Sequence, residues 1–250
     1  MHVVVASHHR LPVEGYGGPQ RVVVALVRGL AALGHRVTLL AQPGTKVAEA
    51  AKIVEVAPRL FKDSGVDLKR FFPDGADILH AHFPLKQGPK GVPFVQTLHG
   101  NWKPDTPLPP NTIFLSRDHA KRHGSAIYVH NGLDPAEYIF RGRKAVLLAR
   151  ARCLWMPAQW DEPFGLPTIE ALFSGTPVLG TRRGALPEIV TPAVGVLRDT
   201  LDELILAGDK VTTLDPRACR ERAERQFTHL VMAENYVRIY QNVLTSGELK

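Results

Sequence analysis

Seven short runs of apolar and β-branched residues punctuate the first half of the sequence, at 3–6, 37–41, 53–56, 78–82, 94–98, 112–115 and 127–129. Each is apolar or β-branched and bounded by Gly, Pro or polar turns, and together they read as strands of a sheet covered on both faces. Strands hidden on both sides need helices above and below them, and the intervening segments supply helical patterns. Between the first two runs, Val23, Leu26, Val27, Leu30 and Leu33 recur at helical spacing. Pro19 stands at a first-turn position and Gly34 just past the end. Residues 1–130 therefore read as a complete Rossmann-type domain with a mostly parallel sheet.

Residues 131–144 have the composition of a hinge, with Asn131-Gly132, Asp134-Pro135 and a basic group at 141–144. Beyond it, 145–250 holds fewer strand signals: 153–156, 177–180 and 194–197, set among helices expected at 145–152, 167–174, 216–227 and 230–244. Three strands make about half a doubly wound sheet. The second domain is expected to be short, with its last helix packing back on the first.

Composition narrows the function classes. The 250 residues carry 31 Lys and Arg against 24 Asp and Glu, a formal charge of +7, with 44% apolar residues, as in an ordinary globular protein. The cations lie in small scattered groups, such as Lys69-Arg70 and Arg182-Arg183, without interleaved aromatics, which argues against nucleic acid. An anionic small molecule or a membrane surface fits the excess equally well. Cys153 and Cys219 make neither a disulfide framework nor a metal-ligand spacing. No apolar run has membrane-spanning length, and no leader pattern opens the chain, so the expectation is a cytoplasmic protein with peripheral membrane contact left open.

The segment richest in chemistry is 160–178. An acidic loop turns through Gly165 into a helix whose first turn carries Pro167, leaving the N–H groups of Phe164, Gly165, Leu166 and Thr168 at a helix N-terminus. Such a terminus suits a diphosphate. Glu170, inside the helix, can accept two hydrogen bonds from a ribose diol, and Glu162 on the loop can hold hydroxyls of a second ring. Taken singly, Glu170 merely complements a helix dipole and Glu162 is a solvated turn residue. His80-x-His82 puts two imidazoles on one strand face, but no further ligand set follows, so no metal is expected. Gln20 occupies the place where a dinucleotide fingerprint needs its third glycine, which excludes that cofactor.

The run E-P-F-G-L-P-T-I-E-A-L-x-S-G-T-P-V, with Glu162 and Glu170 at its carboxylate positions, resembles the donor-binding signature of the retaining glycosyltransferases of family 4. Four further segments resemble that family in order along the chain: Gly15-Tyr16-Gly17-Gly18-Pro19-Gln20-Arg21, Thr97-Leu98-His99-Gly100, His130-Asn131-Gly132-Leu133-Asp134 and Arg182-Arg183-Gly184-Ala185-Leu186-Pro187-Glu188. The strand Asp77-Ile78-Leu79-His80-Ala81-His82 is similar as well. The resemblance implies an α/β, GT-B-like fold of two Rossmann-type domains, the C-terminal one truncated. It implies that Glu170 binds the nucleotide ribose, that Glu162 and the backbone of 164–166 hold sugar hydroxyls and the distal phosphate, and that His99 faces the transferred sugar. Gly17 and Gly18 then let the loop approach the phosphates or the acceptor.

On that resemblance the partners are a nucleotide-sugar donor and a carbohydrate, lipid or small-molecule acceptor, with no cofactor or metal required. Transfer is front-face with retention, the leaving phosphate helping to deprotonate the acceptor, so the protein supplies alignment and stabilises the leaving diphosphate. The chain departs from the family in one respect. Relatives carry a G-R and a later K-G, whose cations clamp the diphosphate, and here the hinge runs directly into 145–152. Roughly two βαβ units are absent at about 30 residues each. Arg143, Lys144, Arg150 and Arg152 are the candidates to replace those cations. A non-catalytic partner subunit and a sugar-nucleotide epimerase remain as alternative readings.

Overall fold

The computed structural model describes residues 1–15, 17–62, 68–103, 105–138 and 143–249. Tyr16 of the glycine loop, and Arg141 and Gly142 of the hinge, lie outside the described residues. The chain divides into two compact units, Met1–Leu115 with His229–Lys250, and Ser116–Thr228.

The first unit alternates strands and helices in the order β1 (His2–Ala6), α1 (Gly18–Ala32), β2 (Arg36–Ala41), β3 (Lys52–Glu55), α2 (Pro58–Lys62), β4 (Ile78–Ala81), β5 (Phe94–Thr97) and β6 (Thr112–Ile113). Its six strands are all parallel and lie in the order β3-β2-β1-β4-β5-β6, with Val4 opposite both Thr38 and Leu79. Val3, Val4, Val5 and Ala6 are fully buried, as a central strand covered on both faces requires. The strand order reverses between β1 and β4, and in such sheets ligands bind beyond the carboxyl ends of the strands at that reversal.

The second unit contains α3 (Arg117–Arg122), α4 (Arg143–Arg150), β7 (Leu154–Met156), α5 (Leu166–Phe173), β8 (Val178–Thr181), α6 (Leu186–Ile189), β9 (Gly195–Arg198), α7 (Leu201–Leu206) and α8 (Pro216–Gln226). Its three strands form one parallel sheet, β7-β8-β9. Caps set the helix limits. Thr200 and Glu203 make a reciprocal capping box at α7, and the Asp215 side chain accepts from Arg217 N at the start of α8.

The compact units part at 115/116, ahead of the domain boundary read from the sequence at 130/131. Ser116 is the N-cap of α3, accepting from His119 N at 3.0 Å and donating to the Pro163 carbonyl at 2.8 Å. The N–H groups of Arg117 and Asp118 both donate to the Glu188 carboxylate. These bonds tie 116–118 to the second unit. The expected strand at 127–129 reduces to a single bridge position at Tyr128. The Tyr128 ring lies 5.2 Å from that of His130, and its hydroxyl accepts from Arg117. Within the expected hinge, 131–138 is held to the second unit. Asn131, Leu133 and Tyr138 are buried, and Leu133 N donates to the Phe227 carbonyl at 2.9 Å.

The last helix, α9 (His229–Ser246), belongs to the first unit and packs on α1. Gly29 makes the approach possible: a Cβ there would strike the His229 carbonyl and come within 2.8 Å of Ala233 Cβ. From α9, the fully buried Tyr236 and Tyr240 reach the sheet, where their hydroxyls bond Thr97 Oγ1 at 2.9 Å and His80 Nδ1 at 2.7 Å. Among the described residues no helix is long and apolar enough to cross a membrane.

Candidate active site

Histidines gather at the carboxyl edge of the first sheet. His8 and His9 follow β1, His82 follows β4 and His99 follows β5. The parallel register of β4 and β5 brings the last two together, because the pairs 80/97 and 82/99 share one offset. His80 Nε2 meets Thr97 Oγ1 at 2.8 Å, and His82 Nδ1 meets His99 Nε2 at 2.9 Å. The His80 and His82 ring centroids are 4.2 Å apart, and those of His82 and His99 are 5.1 Å apart and stacked. Burial pushes His99 down to about 4, helped by the nearby His8 and His9, and pushes His80 to about 3. His82 is held well below the usual range by burial and its three histidine neighbours. These rings are neutral at pH 7. His80 is saturated by Tyr240 and Thr97, and among the described residues no group of three side chains is placed to hold a metal.

The glycine loop precedes α1. Gly17 is its N-cap in extended conformation, φ −152°, and a Cβ there would first meet the flexible end of the Gln20 side chain, at 2.6 Å. Gly18 is the first residue of the helix. The glycine whose conformation demands it is Gly15, at φ 89°.

In the second unit, α5 begins as the sequence suggests. Gly165 is its N-cap in the left-handed region, φ 87° and ψ 63°, which turns the loop into the helix without steric cost. Phe164 anchors the turn: it is buried, with its ring 5.7 Å from that of His130 and 6.0 Å from that of Phe227. Among the described residues the N–H groups of Phe164, Gly165 and Leu166 have no acceptor. Thr168 N does have one, the Gly165 carbonyl at 2.9 Å, so the expected set of four open N–H groups is corrected to three. The Thr168 hydroxyl is buried at the same helix start without a hydrogen-bond partner.

Glu162 lies on the loop, partly exposed, and accepts from Trp160 Nε1 at 3.0 Å. Its backbone is fixed by the turn at 182–185, where Ala185 N donates to the Glu162 carbonyl at 2.9 Å. Glu170 is fully buried, the Tyr138 hydroxyl donates to its Oε1 at 3.1 Å and the Lys144 ammonium sits on Oε2. The Lys144 side chain is 47% exposed, so it forms the solvent-facing side of this ion pair. Tyr138 carries no sequence signal for this role beyond an aromatic ring in a hinge. Lys144 stands among the basic candidates, and only the packing of α4 on α5 singles it out. Arg152, another of those candidates, approaches Asp209 at 4.0 Å at the exposed surface.

Two Rossmann-type α/β units, the second built on three strands and carrying an open helix start, define a protein of the GT-B fold. Two family models match the chain in succession: Glycosyltransferase Family 4 over residues 16–134 and Glycosyl transferases group 1 over residues 136–216. By fold the chain is GT-B, and the two family models that match it in succession are both glycosyltransferase models. The MMP alpha-(1->4)-mannosyltransferase of Mycolicibacterium hassiacum is 34% identical over 111 residues, which cover 40% of this chain and 26% of that protein. The chain thus spans about a quarter of the length of the curated relative it matches there. Among solved structures, AviGT4, a glycosyltransferase involved in avilamycin A biosynthesis, superposes with a TM-score of 0.76 at 23% identity, covering 100% of this chain and 99% of that one. HepE of Anabaena in complex with UDP-glucose gives 0.66 at 12% identity, covering 98% and 100%.

Proposed function

We propose that the chain is a retaining glycosyltransferase of family 4 that moves a sugar from a nucleoside diphosphate donor to a carbohydrate, lipid or small-molecule acceptor without a metal. The observation that carries this reading is the start of α5, where three N–H groups without acceptors and a buried, unpartnered Thr168 hydroxyl lie between Glu162 and Glu170. In this role the N–H groups of Phe164, Gly165 and Leu166 hold the distal phosphate. Glu170 accepts from the ribose diol, and Glu162 accepts from hydroxyls of the sugar. His99, neutral at working pH, contributes a hydrogen bond to the transferred sugar, and Gly17 and Gly18 keep the loop before α1 free of side chains. That HepE is described in complex with UDP-glucose supports a nucleotide sugar as the ligand of this fold.

Because Glu170 is buried beneath Lys144, ribose binding requires the lysine to swing aside. The ammonium then serves the diphosphate, in place of the cations of the G-R and K-G segments. Charge-assisted hydrogen bonds of this kind contribute about 1.5–3 kcal/mol each. Chemistry at the anomeric carbon then needs only alignment and stabilisation of the leaving diphosphate, whose oxygen takes the acceptor proton. The test is transfer from UDP-, GDP- and ADP-sugars to a panel of acceptors, with the anomeric configuration of the product read by NMR. Transfer with retention, lost in Glu162→Ala, supports the proposal; inversion, or turnover indifferent to Glu162, contradicts it.

The three-stranded second sheet favours one other reading, a non-catalytic binding subunit. In that reading donor capture is lost: no binding of any nucleoside diphosphate would select it, and turnover that disappears in Glu162→Ala would eliminate it.

A further inference from the structure

We infer that His82 is a positioning residue that fixes the tautomer of His99, so that His99 presents Nδ1–H, a hydrogen-bond donor, to an oxygen of the bound sugar. The inference rests on the placing of His99 at the sugar in the proposed function. It follows from proton accounting in a pair of which His82 is buried and His99 partly exposed. His82 Nδ1 and His99 Nε2 are 2.9 Å apart, so between two neutral rings one nitrogen donates and the other accepts. His82 Nε2 is buried and has no hydrogen-bond partner. If His99 were the donor, the proton of His82 would have to sit on that nitrogen as a buried, unsatisfied N–H, the kind of group that folded proteins almost never leave unpaired. If His82 is the donor, its Nε2 is a bare lone pair, the cheaper orphan. His99 Nε2 is then the acceptor, and the proton of His99 is forced onto Nδ1.

The surroundings enforce the assignment. The His80 ring lies 4.2 Å from that of His82, tilted by 34°, and is itself pinned at both nitrogens by Tyr240 and Thr97, so the His82 ring has a fixed wall on that side. Burial and the adjacent histidines keep both members of the pair neutral, which removes the doubly protonated alternative. With Nε2 committed to His82, the one nitrogen His99 can offer a ligand is a donor. His99 therefore acts on a lone pair of a sugar oxygen and does not act as a general base.

The direct test is the tautomer of His99 in the full chain at pH 7, read by long-range 1H–15N correlation, with the signals assigned through a His99→Asn variant. A proton on Nδ1 is expected; a proton on Nε2, or a charged ring, overturns the inference. This readout needs no activity, so it stands apart from the proposed function. Two variants extend it. His82→Asn keeps an amide donor at the position of Nδ1 and is expected to hold His99 in the Nδ1–H form, with donor-sugar affinity within about threefold of wild type. His82→Leu removes the donor; a mixed His99 tautomer and about tenfold weaker sugar binding are expected, with affinity for the free nucleoside diphosphate unchanged. Nucleoside diphosphate affinity falling in step with sugar affinity would show that His82 is merely structural, and would overturn the positioning role.

Discussion

The ammonium of Lys144 rests on the carboxylate of Glu170, and the hydroxyl of Tyr138 donates to the same carboxylate from within the unit at 3.1 Å. The pair is lopsided: Glu170 is wholly buried, whereas the Lys144 side chain is 47% exposed. A carboxylate at zero exposure needs its partners, since burying one alone is costly. Lys144→Ala is therefore expected to lower stability by about 1–2 kcal/mol, discounted for the exposure of the lysine. It is also expected to weaken nucleoside diphosphate binding about tenfold or more. Thermal unfolding and calorimetric titration read the two effects. Tighter binding in the variant would show that Lys144 only covers Glu170.

Gly184 sets the position of Glu162. At φ +54° it adopts a conformation that side chains avoid, and a methyl group there would run into the backbone nitrogen and oxygen of Glu162. Gly184→Ala must displace the loop that carries the carboxylate. Gly124, at φ +71° with nothing within 4 Å of a Cβ, is the control. Gly124→Ala should cost only the left-handed conformation, about 1–2 kcal/mol, and leave donor affinity unchanged. Gly184→Ala should cost more and also weaken donor binding. Equal effects on affinity from the two substitutions would sever the link between this turn and Glu162.

Tyr240→Phe isolates one bond between α9 and the sheet. Without the hydroxyl, His80 Nδ1 is left buried and unpaired, at a cost of about 1–3 kcal/mol. Chemical denaturation at pH 7 measures it. A change below about 0.5 kcal/mol would mean that this hydrogen bond contributes nothing net.

Stability should fall as the solution is acidified from pH 7. Burial holds His80 and His99 at about 3 and about 4 in the folded chain, below the ordinary histidine value of 6.5. Between 6.5 and those values the unfolded chain binds protons that the folded chain refuses, so the stabilisation is complete above 6.5 and is lost as pH falls toward 4. Each ring contributes a slope of up to about 1.4 kcal/mol per pH unit. Glu188 adds a separate, more acid step. Burial pushes its carboxyl up, but the bonds from His130 and from the N–H groups of Asp118 and Arg117 outweigh that and hold it below 4.5, so its contribution is lost as pH falls through the lowered value. A thermal midpoint that stays flat from pH 7 to 5 would contradict the neutral histidine cluster.

Much of this molecule is legible in its residues, for reasons that differ from place to place. Most strands of the first sheet announce themselves because strands covered on both faces are largely apolar at consecutive positions, and α5 because Gly165 and Pro167 bracket a helix start. The point where the two compact units part, 115/116, is not legible. Its evidence is the Ser116 cap and the Glu188 carboxylate reaching back to Arg117 and Asp118 across about 70 residues of sequence, and no local pattern encodes that. The partners of Glu170 are hidden for the same reason, lying 26 and 32 positions away. His80-x-His82 reads as a metal pair or a bland strand until the order of β4 and β5 is known, after which a single register offset gives both hydrogen bonds. Gly15 shows the limit of motif reading. The paired glycines at 17 and 18 draw the eye, and the positive φ is at 15.

The central claim is that the start of α5, with Glu170 and Lys144, captures a nucleoside diphosphate. Isothermal titration of the full chain with UDP, GDP and ADP tests it most directly. Saturable binding of at least one of them at millimolar concentration or below, weakened about tenfold or more in Glu170→Gln, is the result predicted. No binding of any of the three at millimolar concentration, or binding that Glu170→Gln leaves unchanged, would contradict it.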